Sequence, residues 1–477
     1  MFERGDGMED RPSRKEFKTR LELMVRELRK DILSGKYLPG TALPSEVVLV
    51  EQYALSNNSV RKGLDMLVQE GLIIKKHRVG SIVANPHQSK IVITLGCSPS
   101  IERDISLSRI LEMFHKAHPS IQVNAVTITG PDSFDYLKTA QTYLEHGIID
   151  VMTINNINFQ EIMEHECTHL FEPLVPQTNM YPFLNETFSY DGQLLVQPLA
   201  FSPTVLAFNK SHFREAGLLE PDSSWTWDYL IRMTKKLTSE DRHALFFHVL
   251  SENRWPVFLL QSGISMADSA IGKTAFINPK LLDSIQLMRQ LINDRDVFAH
   301  YLSNHSNDAE NLMRQGKISM TVQNYFSMNE FKNTDIEYDI SPLPFIHTPT
   351  TLTHIIGMGV NRKSAVKDAA KILVRYFASE QAQQAIRDHT LSIPGIKPIA
   401  ETAPSFNSGL NRPASYSLYK EIIPTFRTHR DLGLTVRGFK KMGEILKLFL
   451  SGMMDTPALC RMMEEELQSD LISRRIE

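Results

Sequence analysis

Gly35-Lys36-Tyr37-Leu38-Pro39-Gly40-Thr41-Ala42-Leu43-Pro44-Ser45-Glu46 introduces a stretch running to Gly80-Ser81-Ile82-Val83 whose reading decides the fold of the N-terminal part. Upstream of it, Leu21, Val25, Leu28, Ile32 and Leu33 fall at helical spacing, and Gly35 follows the last of them where a C-cap glycine belongs. Ser45 is placed to cap a second helix through Tyr53 that contains Glu46, Glu51 and the apolar run Val47 to Val50. Ser56 is placed to cap a third. Its stripe Val60, Leu64, Leu67 and Val68 is expected to face the core, which leaves Asn57, Asn58, Ser59, Arg61 and Lys62 on the opposite side. Residues 72–83 then read as strand, turn and strand around the basic tip Lys75, Lys76, His77 and Arg78.

Two short helices followed by a hairpin form a helix-turn-helix with a wing. The second helix of such a pair enters the major groove with its N-terminal residues at the base edges, so those five polar residues are the expected reading head, Arg61 foremost. An arginine on an exposed helix face is ordinarily only a solvated charge; the helix-turn-helix context reverses that expectation here. The basic tip suits phosphates or the minor groove. Charge follows the same division: residues 1–90 hold 16 Lys and Arg against 12 Asp and Glu, a net of +4, and the remainder holds 36 against 43, a net of −7.

The spaced pieces Gly-x-x-x-Pro-Gly-x-x-Leu-Pro-Ser-Glu, Leu55-Ser56-Asn57-Asn58-Ser59-Val60-Arg61 and Leu67-Val68-Gln69-Glu70-Gly71-Leu72 resemble the winged helix-turn-helix of the GntR family of bacterial regulators. That resemblance implies binding to double-stranded operator DNA through Ser45, Ser56, Asn57, Asn58, Ser59, Arg61, Lys62, Lys75, Lys76, His77, Arg78 and Gly80. The chain also departs from the family pattern. Val47 and Asn57 stand where the family often carries arginines, and Arg78 replaces the wing's first glycine. Bidentate arginine on guanine is the commonest specific base contact, so the operator is expected to differ from the common family sequence.

A chain of 477 residues, 42% of them apolar, is long enough for two or three globular units. Its start, Met-Phe-Glu-Arg-Gly-Asp-Gly-Met-Glu-Asp, lacks the apolar core of a signal peptide, and no stretch has the length of a membrane span. A cytoplasmic protein is expected. Cys97, Cys167 and Cys460 are odd in number and widely spaced, which fits reduced thiols and points to no zinc site or disulfide framework. Leu95-Gly96-Cys97 resembles a lipoprotein processing site, but it follows only a five-residue apolar run better read as a buried strand. Polar, proline-containing residues 85–90 mark a linker. The expected division is a flexible N-terminus over 1–16, the winged helix-turn-helix over 17–84, that linker, and an effector domain over 91–477.

From Lys90 onward strands and helices alternate: Ile91 to Leu95, Ile105 to His115, Ile121 to Ile128, Tyr136 to Leu144 and Ile149 to Ile154. The pattern predicts a parallel sheet flanked by helices, hence an α/β domain. Five later segments resemble family 1 extracellular solute-binding proteins: Phe114 to Val123, Phe208 to Leu218, Thr226-Trp227-Asp228, Gly316 to Met320, and Phe377 to Gln383. The resemblance implies a two-lobed, periplasmic-binding-protein-like fold of type II with a small sugar held between the lobes. Such a pocket needs aromatic plates and polar side chains, for which the candidates are Asn155, Asn156, Ser202, Thr204, Trp255, Tyr325, Phe326 and Gly357, with Gly359 beside the last. Trp227, at a helix start, is assigned to the core.

The whole is therefore expected to be α/β, an N-terminal winged helix-turn-helix followed by a two-lobed effector domain. The implied activity is transcriptional regulation, most simply repression relieved by a mono- or oligosaccharide. The chain would act as a homodimer, because one winged helix covers only a half-site, and it would have no cofactor and no catalytic role. A pyridoxal-phosphate-dependent aminotransferase-like domain is the alternative for a GntR-type chain of this length, but no Ser-x-Ser-Lys segment appears in its C-terminal region. A sugar transport receptor is the third reading; it lacks an export signal.

Overall fold

A computed structural model describes residues 14–76, 79–84, 90–128, 135–268, 276–299, 307–402 and 409–471. The chain divides into two compact units, one of residues 1–92 with 118–122 and the other of residues 93–117 with 123–477. Of the stretch expected to be flexible, residues 14–16 begin the first helix and the rest lies outside the described residues, as do linker residues 85–89.

The first unit carries three helices, Arg14–Leu33, Glu46–Tyr53 and Asn57–Gln69, and the hairpin Ile73–Lys76 with Gly80–Val83, paired antiparallel from Ile73 opposite Val83 to Lys76 opposite Gly80. Ser45 and Ser56 cap the second and third helices by accepting from the amides of Val48 and Ser59. Met24, Val25, Leu28, Leu49, Val60, Leu64, Leu67, Ile73 and Val83 close one apolar core. Two residues expected in it are not. Val68 is 37% exposed, because one 100° step past Leu67 takes it off the buried stripe, and Leu33, the last residue of its helix, is 70% exposed, while Ile32 packs instead.

The main sheet, which lies in the second unit except for residues 91–92 and 121–122, has the order Ile121–Thr127, Ile91–Cys97, Val151–Asn155, Thr351–Val360, Val196–Asn209, Ile318–Asn324, His243–Leu245. Val196–Asn209 organises it. All 14 of its residues are buried, as a near-continuous apolar run covered on both faces must be. Residues 196–203 pair with Thr351–Val360, and residues 204–208 pair with Ile318–Asn324. The strand thus passes from one half of the domain into the other, and Thr351–Val360 carries the chain back. That return must run antiparallel to the outgoing strand, and it does. Parallel pairing, expected from the alternation over 91–154, joins Ile91–Cys97 to Val151–Asn155, and it recurs between Ile318–Asn324 and His243–Leu245 and between Thr351–Val360 and Phe426–Arg427. Register slips at Ile356/Gly357, opposite Pro198, whose ring removes a ladder donor. Trp227 is fully buried, its indole N–H donating to Gln261 Oε1 at 3.0 Å. No helix among the described residues is long and apolar enough to cross a membrane.

Candidate functional site

The residues expected to read DNA project from the first turns of the third helix. Asn57, Asn58, Arg61 and Lys62 are exposed and Ser59 is half-exposed, while Ser56 Oγ holds the helix start at 3.2 Å from the Ser59 amide. Arg61 is not loose: its Nε donates to Glu46 Oε2 on the preceding helix at 2.8 Å, which raises its already high pKa. Beside Glu46, Val47 and Val48 are 63% and 48% exposed, so this face offers apolar groups where the family often offers an arginine. On the hairpin, Lys75 pairs with Asp65 at 2.6 Å, Lys76 is exposed, and Gly80 turns at φ +101°, a conformation that favours glycine. His77 and Arg78 lie outside the described residues.

Of the expected ligand residues, Ser202 and Thr204 lie where Val196–Asn209 passes from one pairing partner to the next, and each of the eight has a structural partner or packing role. Asn155 caps the helix Asn156–Glu164 at 2.8 Å from the Asn158 amide, and Asn156 Oδ1 accepts from the Ile355 amide at 3.0 Å. Ser202 Oγ accepts from the Phe326 amide at 2.9 Å, and Thr204 Oγ1 donates to the Leu352 carbonyl at 2.9 Å. These bonds stitch together the strands that cross the seam. Tyr325 is fully buried and donates to the Tyr416 carbonyl, while Phe326 is buried beside it. A Cβ at Gly357 would come within 2.5 Å of the Gln197 carbonyl oxygen, and one at Gly359 would meet the Phe171 ring; in both cases the close neighbour is protein. Trp255 is stacked on Phe439, ring centres 4.6 Å apart, and the two rings help to line a groove of about 630 Å³ with Leu250, Glu252 and Leu448.

Around these residues the fold gathers charged and titratable groups that sequence reasoning did not single out. Arg254, immediately before Trp255, is 7% exposed. It donates from Nη1 to its neighbour Asn253's carbonyl at 3.0 Å and from Nη2 to Gln323 Oε1 at 3.4 Å. Burial brings its pKa down to about 10, against the attraction of Glu310. Glu310 is 2% exposed, its Oε2 has no hydrogen-bond partner, and burial raises its pKa. Arg103 comes from the other half, on the short helix Ile101–Ile105, and is bound to Asp104 at 2.8 Å. His354, on the returning strand, and His429 are buried with ring centres 5.6 Å apart, and Nε2 of the first and Nδ1 of the second have no partner. Burial holds both neutral, His429 down at about 4 and His354 well below its ordinary value. The available signal was a titratable residue inside an apolar run, Thr351-Leu352-Thr353-His354-Ile355-Ile356 and Arg254-Trp255-Pro256-Val257-Phe258. Among the described residues no group of histidine, cysteine and carboxylate side chains has metal-holding geometry.

Residues 109–412 match the family described as bacterial extracellular solute-binding protein. The chain belongs to that family. Ahead of its solute-binding domain it carries a GntR-type helix-turn-helix, residues 22–83 matching bacterial regulatory proteins of the gntR family. Relatives of the helix-turn-helix part include the galactonate operon transcriptional repressor of Escherichia coli (strain K12), 33% identical over 101 residues that make up 20% of this chain and 44% of that protein. The uncharacterized HTH-type transcriptional regulator YieP of the same strain is 36% identical over 61 residues, 13% of this chain and 26% of that protein. This chain thus spans less than half the length of these curated relatives. The solute-binding domain is similar in fold to maltose-bound MalE3 of T. maritima, with a TM-score of 0.68 at 18% identity over 80% of this chain and 99% of that one. It is similar also to the substrate-binding protein Lmo0181 of Listeria monocytogenes in complex with cycloalternan, with a TM-score of 0.66 at 19% identity over 80% and 98%.

Proposed function

We propose that this solute-binding family member is a cytoplasmic transcriptional regulator whose affinity for operator DNA is set by a small carbohydrate bound at the seam of its second unit. The observation that carries this reading is the joining, in one chain, of a GntR-type helix-turn-helix with an exposed polar helix face and a solute-binding-family domain, in which Glu310 Oε2, His354 Nε2 and His429 Nδ1 are among the buried polar atoms without a hydrogen-bond partner. Buried polar atoms without partners are expensive unless something brings partners to them. Sugar hydroxyls both donate and accept, so they suit neutral imidazoles and a carboxylate together. The fold neighbours whose names report bound maltose and cycloalternan support a saccharide as the ligand class.

The mechanism follows from two halves joined by crossing strands. Ligand bridging the seam favours one arrangement of the halves, and a homodimer converts that choice into a spacing of two reading heads. Coupling of this kind is reciprocal and typically about 1–3 kcal/mol. Repression relieved by ligand is the expected sign, and the chain catalyses nothing. The reading is tested by fluorescence anisotropy with a duplex selected by the full chain from random-sequence DNA, titrated with and without a panel of mono- and oligosaccharides. It expects at least one sugar to weaken operator binding. Light scattering of the operator complex should give two 54.4 kDa chains per duplex; one chain on a single half-site contradicts the dimer.

A further inference from the structure

We propose that the effector held at this seam carries an anionic group, a carboxylate or a phosphate on a small polyhydroxylated frame, and that Arg254 receives it; this rests on the carbohydrate reading above. Arg254 is a permanent cation taken almost wholly out of water, yet both of its hydrogen-bond acceptors, the Asn253 carbonyl and Gln323 Oε1, are neutral. A guanidinium in such surroundings is best satisfied by the two parallel bonds of a carboxylate or phosphate. The protein's own carboxylate does not supply them. Glu310 is the one acid whose charge attracts Arg254, but no ion pair joins them among the described residues; Gln323, which also hydrogen-bonds Glu310, stands between them. Burial moreover disfavours the ionised form of Glu310.

A second cation lies within reach of the same field. Arg103 lowers the pKa of Arg254 by repulsion, although it comes from the other half of the domain. Arg103 already has its own carboxylate, Asp104 at 2.8 Å, whereas Arg254 has none, so Arg254 is the cation left for an anion. Neutral groups for the rest of the ligand stand nearby: His354, whose protonated form Arg254 disfavours, and His429 beside it. The groove lined by Glu252, Trp255 and Phe439 flanks Arg254 along the chain and touches His429 through Phe439 and the Glu252 carbonyl.

The test compares matched ligands on the full chain by isothermal titration calorimetry: galacturonate against galactose, gluconate and glucose 6-phosphate against glucose, with acetate and inorganic phosphate as bare anions. The expected result is an acid bound at least tenfold more tightly than its neutral partner, and R254Q losing that preference while R254K keeps part of it. Which arm responds distinguishes carboxylate from phosphate. A neutral sugar bound as tightly as its acid overturns the anionic group and leaves the carbohydrate reading standing. No binding of any panel member by chain that still binds DNA counts against both. The parent comparison needs no variant, so a misfolded R254Q does not protect the proposal.

Discussion

Arg61 Nε donates to Glu46 Oε2 at 2.8 Å, so the residue expected to read bases is tied, in the unbound chain, to a carboxylate on the neighbouring helix. The pair is exposed on both sides, 60% and 35%, and surface pairs of this kind contribute little to folding. Its consequence should therefore appear in DNA binding and not in stability. Arg61→Ala is expected to weaken operator binding by on the order of tenfold or more with an unchanged melting temperature, as an arginine at a base edge would. Equal operator affinity in anisotropy titrations would remove Arg61 from the reading head.

Lys75 and Lys76 should behave differently. Lying on the hairpin, they are expected to meet phosphates, so Lys76→Ala should weaken specific and random duplexes alike and reduce the slope of log K against log salt by about one unit. A loss confined to the specific duplex would place Lys76 at a base.

Trp255 and Phe439 make a prediction about folding. Trp255 is 1% exposed and covered on one face by the Phe439 ring, so Trp255→Ala should cost about 3–5 kcal/mol of stability whatever it does to ligand binding. Denaturant unfolding reads this directly. Trp255→Phe keeps a ring on Phe439, so it is the variant with which to ask whether the indole also contributes to a ligand.

His354 and His429 set an acid limit. Burial depresses both folded-state pKa values below the unfolded value near 6.5, His429 to about 4. Unfolding then takes up protons, so their contribution is fully present above the unfolded pKa and is lost as pH falls from about 6.5 towards 4. For His429 the loss is on the order of 2–3 kcal/mol. Melting temperatures across this window should fall more steeply for the parent than for His429→Gln; parallel curves would show that His429 is not held neutral.

Much of the N-terminal unit was legible because its signals are local. Caps at Ser45 and Ser56, the Val60, Leu64 and Leu67 stripe, and the glycine at the wing all lie within a few residues of what they control. The second unit yielded its strands for the same reason. The parallel pairing expected from the alternation over 91–154 is present between Ile91–Cys97 and Val151–Asn155, but the antiparallel return of Thr351–Val360 joins segments some 150 residues apart and leaves no local trace. The seam shows the same limit. Polar residues chosen by position, such as Ser202, Thr204 and Asn156, turned out to hold strands together. Arg254, Glu310, His354 and His429 meet only through tertiary packing, and no spacing in the sequence relates them.

The proposed regulation requires that ligand binding and DNA binding share one equilibrium. It is tested most directly by measuring both affinities in one experiment, titrating DNA into the full chain with and without saturating ligand, and titrating ligand with and without DNA. Ligand is expected to change the DNA dissociation constant by a factor of about 5–150, and DNA to change the ligand dissociation constant by the same factor. Ligand binding that leaves DNA affinity unchanged would contradict it.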